Sequence, residues 1–347
     1  MLSSACNRQV RRSPRQHEGG DAHFDESLQA WILSRYVDVT AAFQCSGLWP
    51  AAAVRDAPSS PPDKTGHLAM REETLAALSP AQLMVWRRHL STVAEAQVRS
   101  LPADQPVNLV RCYARPVCLC LAAVVTQIGA SDAERLRKIA EPVSASAAEP
   151  YDAALKQAAR AATAELRNWF HSDAELLRDS GFVALAHTLP SLLLNAWFEL
   201  IQHPDQWGIL HREPELIERS VEELLRCASL PETLFRRAVE EVEVNGVRIS
   251  RGQRVVLRVR DANRDPARFR QPHQIDVRRR GPRHLALGAG AHSCVGAGLI
   301  RMAAVTTTRA LVERFAAVTL RKEVRWQGGS AFRWPRSLWV ALHEVSD

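Results

Sequence analysis

Apolar and polar positions recur with a helical period through roughly the first two thirds of the chain, and the pattern then breaks into short alternating runs and glycine-rich turns. Residues 1–20 are polar and carry no sustained apolar period, which predicts a disordered N-terminal segment. Ala30–Tyr36 (AWILSRY) has strand character, and Asp38–Phe43 reads as a short helix after it. Residues 50–66 are rich in Pro, Ser, Asp and Gly and predict a loop. Ser79 and Pro80 supply an N-cap and a first-turn proline for a helix through Trp86, Arg87 and Arg88. Further helical segments cover 108–128, 131–145 and 150–171. From 173 a long apolar helix runs to near His203-Pro204, and another spans Pro214–Cys227. Beyond it, Glu241–Ile249 alternates around Asn245-Gly246 and predicts a hairpin. Arg254–Val259 reads as a strand, 261–283 as irregular chain, and a helix follows Cys294 as far as Phe315. The fold class is mainly α with small β-sheets, in a single domain over 21–347.

Composition narrows the class. With 347 residues, 46% hydrophobic and 24% charged, the chain can bury a sizeable core without disulfide support. Its seven cysteines are odd in number, and no spacing among them suggests a disulfide framework or a zinc knuckle, which fits a reducing cytoplasm. Cys118 and Cys120 lie in the apolar run Val117–Val125 and are expected to be buried. The formal charge of +7 is carried by arginines spread along the chain, with no aromatic-rich module beside them, so no nucleic-acid partner is expected. The most apolar long stretch, 182–201, contains His187, Pro190, Asn195 and Glu199. These would be costly in lipid, so a buried helix is expected and no membrane span. The basic start lacks an apolar core and reads as no secretory leader.

The candidate chemistry sits in His284–Arg301, HLALGAGAHSCVGAGLIR. Gly288 and Gly290 precede Cys294, and Gly296 and Gly298 follow it. Glycines allow tight turns and close backbone approach to a flat ligand. A cysteine where a helix begins is favoured as a thiolate by free N–H groups and the helix dipole, and a thiolate is a good ligand for iron. A glycine-rich turn around an incidental buried cysteine is the plainer alternative.

This segment resembles the heme-binding loop of the cytochrome P450 family, F-G-x-G-x-H-x-C-x-G. Leu287, Gly288, Gly290, His292, Cys294 and Gly296 fall on its positions, and only Leu287 departs from it. Other segments are similar in the same order. Glu223-Leu224-Leu225-Arg226 matches the family's E-x-x-R helix, and Arg279 in IDVRRR matches the arginine that joins it. The resemblance implies that this trio braces the cysteine loop. It also implies heme b, iron protoporphyrin IX, as cofactor, with Cys294 as the proximal ligand. Arg87, Arg236 and His292 would contact the propionates, while Leu83 replaces the histidine usual four residues before Arg87. Resemblance extends from Asp21 to Leu342, strongest after residue 200, and the fold expected is a P450-like one shortened at the N-terminus and before the long central helix.

In the family the central helix carries A/G-G-x-D/E-T, whose acid and threonine deliver protons on the distal side. Ala184-Leu185-Ala186-His187-Thr188 falls at that motif, so Thr188 is kept, His187 replaces the acid and Leu185 a glycine. His187 reads either as a proton relay or as a packing residue. Pro190 cannot donate to the carbonyl of Ala186, so the helix should open or kink there. What the resemblance implies is a monooxygenase acting on a small organic molecule of secondary metabolism, free or carrier-bound, with electrons from a ferredoxin-type partner. The altered acid leaves two alternatives: an enzyme using peroxide or catalysing a rearrangement, coupling or dehydration, and a heme-binding protein without turnover.

Overall fold

In the computed structural model, residues 20–51, 64–170 and 179–344 are described. The segment expected to be disordered therefore lies outside the described residues up to residue 19, as do residues 173–178 of the expected central helix. Helices in the first half are α1 (Tyr36–Gln44), α2 (Lys64–Ala77), α3 (Pro80–Arg99), α4 (Arg115–Thr126), α5 (Ala130–Ala148) and α6 (Ala153–Phe170). The expected N-cap of α3 is in place: the Gln82 N–H donates to the Ser79 hydroxyl, and Pro80 opens the first turn. Helix α2 was not anticipated. Its apolar residues Leu68, Met70 and Leu75 are exposed and form no buried stripe that a sequence pattern could register.

The central helix comprises α7 (Asp179–Val183), a π-helical turn (Ala184–Thr188) and α8 (Leu189–Ile201), followed by α9 (Pro204–Arg212) and α10 (Ile217–Ala228). Ser180–Ile201 is long and apolar enough to cross a membrane, yet most of it is buried in the core of the protein. Leu189, Leu192, Leu193, Ala196, Trp197 and Leu200 pack into the main apolar cluster. Trp197 Nε1 donates to Thr308 Oγ1 at 3.0 Å. Thr308 lies on α12 (Ala297–Arg314), the helix after the glycine-rich loop. Tyr113, fully buried, donates its hydroxyl to the Thr307 carbonyl on the same helix at 2.7 Å. The central helix and α12 are thus joined through the core. Cys118 is buried as expected, but Cys120 is exposed, because α4 turns that side of its apolar run outward.

The strands are short. A five-stranded sheet runs in the order β1 (His23–Asp25), β2 (Ala30–Leu33), β8 (Arg254–Leu257), β5 (Leu234–Ala238), β3 (Leu48–Pro50), with only β2–β8 parallel. The expected hairpin is β6 (Val242–Val244) and β7 (Val247–Ile249). Asn245 and Gly246 between them have φ of 47° and 82°, as a tight two-residue turn of that hand needs. Four C-terminal strands, β9 (Ala317–Leu320), β10 (Arg325–Gly328), β11 (Arg333–Ser337) and β12 (Trp339–His343), were not foreseen, since none alternates cleanly between apolar and polar residues; nor was β4 (Pro106–Asn108), which pairs with β12. The short helix α11 (Val259–Ala262) links β8 to the irregular stretch that leads to the cysteine loop.

Candidate functional site

The cysteine loop is held first by sterics. Gly290 has φ of +68°, and a Cβ there would lie 2.4 Å from the Phe43 carbonyl oxygen, so the end of α1 rests directly on the loop. Gly288 is also left-handed, at +70°, but its surroundings are roomier. The Cys294 N–H donates to the Leu287 carbonyl at 2.8 Å and closes the turn that presents the thiol. Helix α12 starts at Ala297 with Gly296 as its N-cap, so Cys294 precedes the helix. A Gly296 Cβ would stand 3.8 Å from the sulfur. Cys294 keeps partial solvent access. Burial pushes its thiol up, against the opposing pull of the Gly296 N–H and of Arg71 and Arg301. In the protein alone, therefore, desolvation outweighs the helix-start effect that favoured a thiolate on sequence grounds.

Arg71 on α2 donates to the Ser293 carbonyl at 2.6 Å and to its hydroxyl at 2.7 Å. This contact beside the cysteine was missed, because α2 itself carried no sequence signal.

Behind the loop the expected trio is assembled. Arg226 grips Glu223 with both arms, at 2.7 and 2.8 Å, and Arg279 Nε donates to Glu223 Oε1 at 2.9 Å. Arg226 donates further to the carbonyls of Asn263, Pro272 and Gln274. Both Glu223 and Arg226 are almost fully buried, so the network answers each charge with several charge-assisted bonds. Asn263 carries the brace onward: fully buried, it accepts from the Leu285 N–H through Oδ1 at 2.7 Å and donates to Ser229 Oγ at 2.7 Å. Leu285 opens the cysteine loop. Asn263 was not singled out from the sequence, where one asparagine in an irregular stretch has no distinguishing mark.

Arg236 on β5 is the least expected charge. It is 6% exposed, stacks over Phe43 at 5.5 Å and otherwise donates only to the neighbouring Phe235 carbonyl at 3.3 Å. No carboxylate of a described residue pairs with it, and burial lowers its pKa to about 10. A buried guanidinium left without an anion is costly unless a bound group supplies one. His292 is half-buried, its ring edge-on to Trp49 at 4.9 Å. Arg87 is exposed on α3 and makes no ion pair with another described residue. Leu83 packs on the start of α12, 3.1 Å from where a Gly298 Cβ would be.

On the central helix, Ala184 is exposed and Thr188 half-buried, while Leu185, Ala186, Leu189 and Pro190 are buried. Ala184 and Thr188, about one turn apart, thus keep solvent access beside a largely buried run. The backbone is widened there as expected: the Leu189 N–H donates five residues back, to Ala184, and Pro190 has no N–H to continue the ladder. His187 is half-buried, like Thr188. Its Nε2 lies 2.8 Å from the Arg137 carbonyl of α5, and since a carbonyl only accepts, Nε2 carries the proton. Burial lowers the His187 pKa, ahead of the opposing effect of that hydrogen bond. The Ser191 hydroxyl donates to the His187 carbonyl at 2.7 Å.

These residues fit the heme that the sequence resemblance implies. One partly open thiol on a glycine cradle suits an iron whose other positions a macrocycle fills. Arg236 is a buried cation awaiting an anion such as a propionate.

The family model described as Cytochrome P450 matches residues 212–327. The 6-deoxyerythronolide B hydroxylase of Saccharopolyspora erythraea is 41% identical over 130 residues, which is 38% of this chain and 32% of that enzyme. The match thus spans less than a third of the relative's length. Nocardicin C N-oxygenase of Nocardia uniformis is 27% identical over 89% of this chain and 88% of its own. In three dimensions the chain is similar to P450BioI, solved in complex with an acyl carrier protein bearing hexadec-9Z-enoic acid. The TM-score is 0.82 at 20% identity, covering 99% of this chain and 100% of that one, a likeness of fold alone.

Proposed function

On the premise that this chain belongs to the cytochrome P450 family, we propose that it is a heme-thiolate monooxygenase acting on a small organic molecule of secondary metabolism. The observation that carries the reading is the occurrence together of Cys294, on its glycine cradle, and Arg236, a buried cation with no carboxylate partner among the described residues. Heme b would be held by Cys294 at the iron and by Arg236, His292 and the exposed Arg87 at its propionates. Leu287, Gly288, Gly290 and Gly296 shape the backbone around it. A thiolate ligand supplies electron density to the iron and so favours O–O cleavage.

The chain's own residues would take these roles. Thr188, half-buried on the central helix, would pass a proton through its hydroxyl. His187 stands beside it with Nε2–H fixed on the Arg137 carbonyl, leaving Nδ1 as its proton-accepting atom. Electrons would come from a ferredoxin-type partner in the cytoplasm. The substrate would be free or tethered to a carrier, the latter being the mode seen in the P450BioI complex. The test is spectral: ferrous, heme-loaded protein under carbon monoxide should show the strongly red-shifted band of a thiolate adduct, and Cys294→Ser should lose it. A normal wild-type band persisting in Cys294→Ser would refute the assignment of the ligand.

One observation favours a second reading. His187 replaces an acid and spends one nitrogen on a backbone carbonyl, which leaves it a single proton-transfer atom where a carboxylate has two oxygens. The enzyme would then use peroxide or catalyse a non-hydroxylating reaction. Turnover with peroxide and no reductase should exceed reductase-driven turnover in the wild type under this reading, and His187→Glu should reverse the preference. Equal reductase-driven activity in both proteins would remove it.

A further inference from the structure

A cavity of about 460 Å³ opens beside the Glu223–Arg226–Arg279 brace. It is lined by Arg219, Arg226, Arg279, Arg280, Arg283 and His284, with Glu222, Glu223, Gly281 and Pro282. Small-molecule pockets are mostly apolar with a few polar groups. Most of the side chains lining this one are charged, with their aliphatic stems forming much of the wall, so selection rests on the charged heads.

Its charges are unevenly answered. Arg226 and Arg279 are consumed by Glu223 and by backbone carbonyls. Glu222 is gripped by Arg301, at 2.6 and 3.1 Å. That leaves Arg219, Arg280 and Arg283 with no carboxylate among the described residues, and Arg219 Nε is buried without a hydrogen-bond partner. His284 makes the second, independent observation. Its side chain is 3% exposed. Nδ1 accepts from the Ala286 N–H at 3.1 Å, so the proton is on Nε2. That Nε2–H faces the Glu222 carboxylate, 3.4 Å from Oε2, but is not aligned for a full hydrogen bond, so its donor capacity is only partly used. Two buried donors and two rim cations therefore converge on one polar cavity.

We infer that this cavity binds a small phosphate-class anion, a diphosphate or phosphate-ester group, through Arg219, Arg280, Arg283 and the Nε2–H of His284. The multiple cationic donors favour a multiply charged oxyanion over a monocarboxylate. The site also touches the cysteine loop mechanically, because His284 accepts from the Ala286 N–H and the same loop closes through the Leu287 carbonyl on the Cys294 N–H. An anion held by His284 would stiffen the loop. The inference does not depend on heme ligation or on turnover.

The probe is inorganic pyrophosphate, titrated calorimetrically into the purified full chain at an ionic strength held constant with chloride. Saturable one-site binding is expected, weakened by about tenfold in Arg219→Gln and in Arg280→Gln, the loss of one charge-assisted bond each. Arg280 is exposed, so its variant keeps the fold. Amide exchange at Ala286 should slow when pyrophosphate is present. No binding beyond the chloride control, or wild-type affinity in both variants, overturns the site. A glutamate-rich peptide binding with the same arginine dependence where pyrophosphate fails would overturn the small-anion assignment in favour of an acidic protein segment.

Discussion

The cysteine loop and the central helix face different structural problems, and the chain solves them in opposite ways. The loop is over-determined. Phe43 blocks any side chain at Gly290, Leu287 holds the Cys294 amide, and the buried trio reaches the loop through Asn263 and Leu285. The distal turn is under-bonded. Its backbone is widened between Ala184 and Thr188, Pro190 withholds a donor, and one side-chain bond, His187 to the Arg137 carbonyl, ties it to α5. Under the proposed function this contrast is useful: a metal ligand would need the fixed position that redundant contacts give, and a proton path would need groups free to exchange partners.

The comparison breaks most severely if the brace is cut. Glu223→Ala would leave Arg226 buried without its carboxylate and should cost about 3–5 kcal/mol, read as a lower denaturant midpoint. Gly290→Ala should cost about 3 kcal/mol, from the left-handed backbone and the overlap with the Phe43 carbonyl. Gly288→Ala has the backbone penalty but no comparable overlap, so about 1–2 kcal/mol is expected. Equal losses at the two glycines would mean that α1 does not press on the loop. Asn263→Ala strands the buried Leu285 N–H and should cost about 1–3 kcal/mol, with faster amide exchange at Leu285.

The same contrast explains what could be read from the sequence. The loop was legible because its needs are imposed on residue type: glycine where φ is positive or a Cβ would collide, a cysteine just before a helix, an acid and an arginine one helical turn apart. The widening of the central helix was legible from Pro190, since a missing N–H is a property of the residue alone. Contacts made by ordinary residues were not. Arg71 reaches Ser293 from a helix with no buried stripe, and Asn263 works only because three distant segments converge on it. Cys120 was expected inside because its run is apolar, yet helical rotation decides which side of a run is covered. The direction of the Cys294 thiol was read from the helix start, and burial, which depends on packing across the chain, overrode it.

The smallest effect expected is on the distal side and depends on pH. His187 has its pKa lowered from the ordinary 6.5, first by desolvation. In the folded protein it therefore binds a proton less readily than in the unfolded chain. As pH falls below about 6.5, the unfolded state takes up a proton that the folded state does not, so stability declines until the folded pKa is passed. Above that window both states hold a neutral ring and the group contributes no slope. His187→Gln keeps a side-chain N–H able to donate to the Arg137 carbonyl but cannot titrate. Its stability should therefore fall less than the wild type's between pH 6.5 and the acid limb, while the two proteins stay close at pH 8. The check is a pair of denaturant melts at each pH. If the wild type and His187→Gln lose stability in parallel on acidification, His187 is not held neutral by its burial. The proposed relay nitrogen would then take up a proton on acidification as readily as in the unfolded chain.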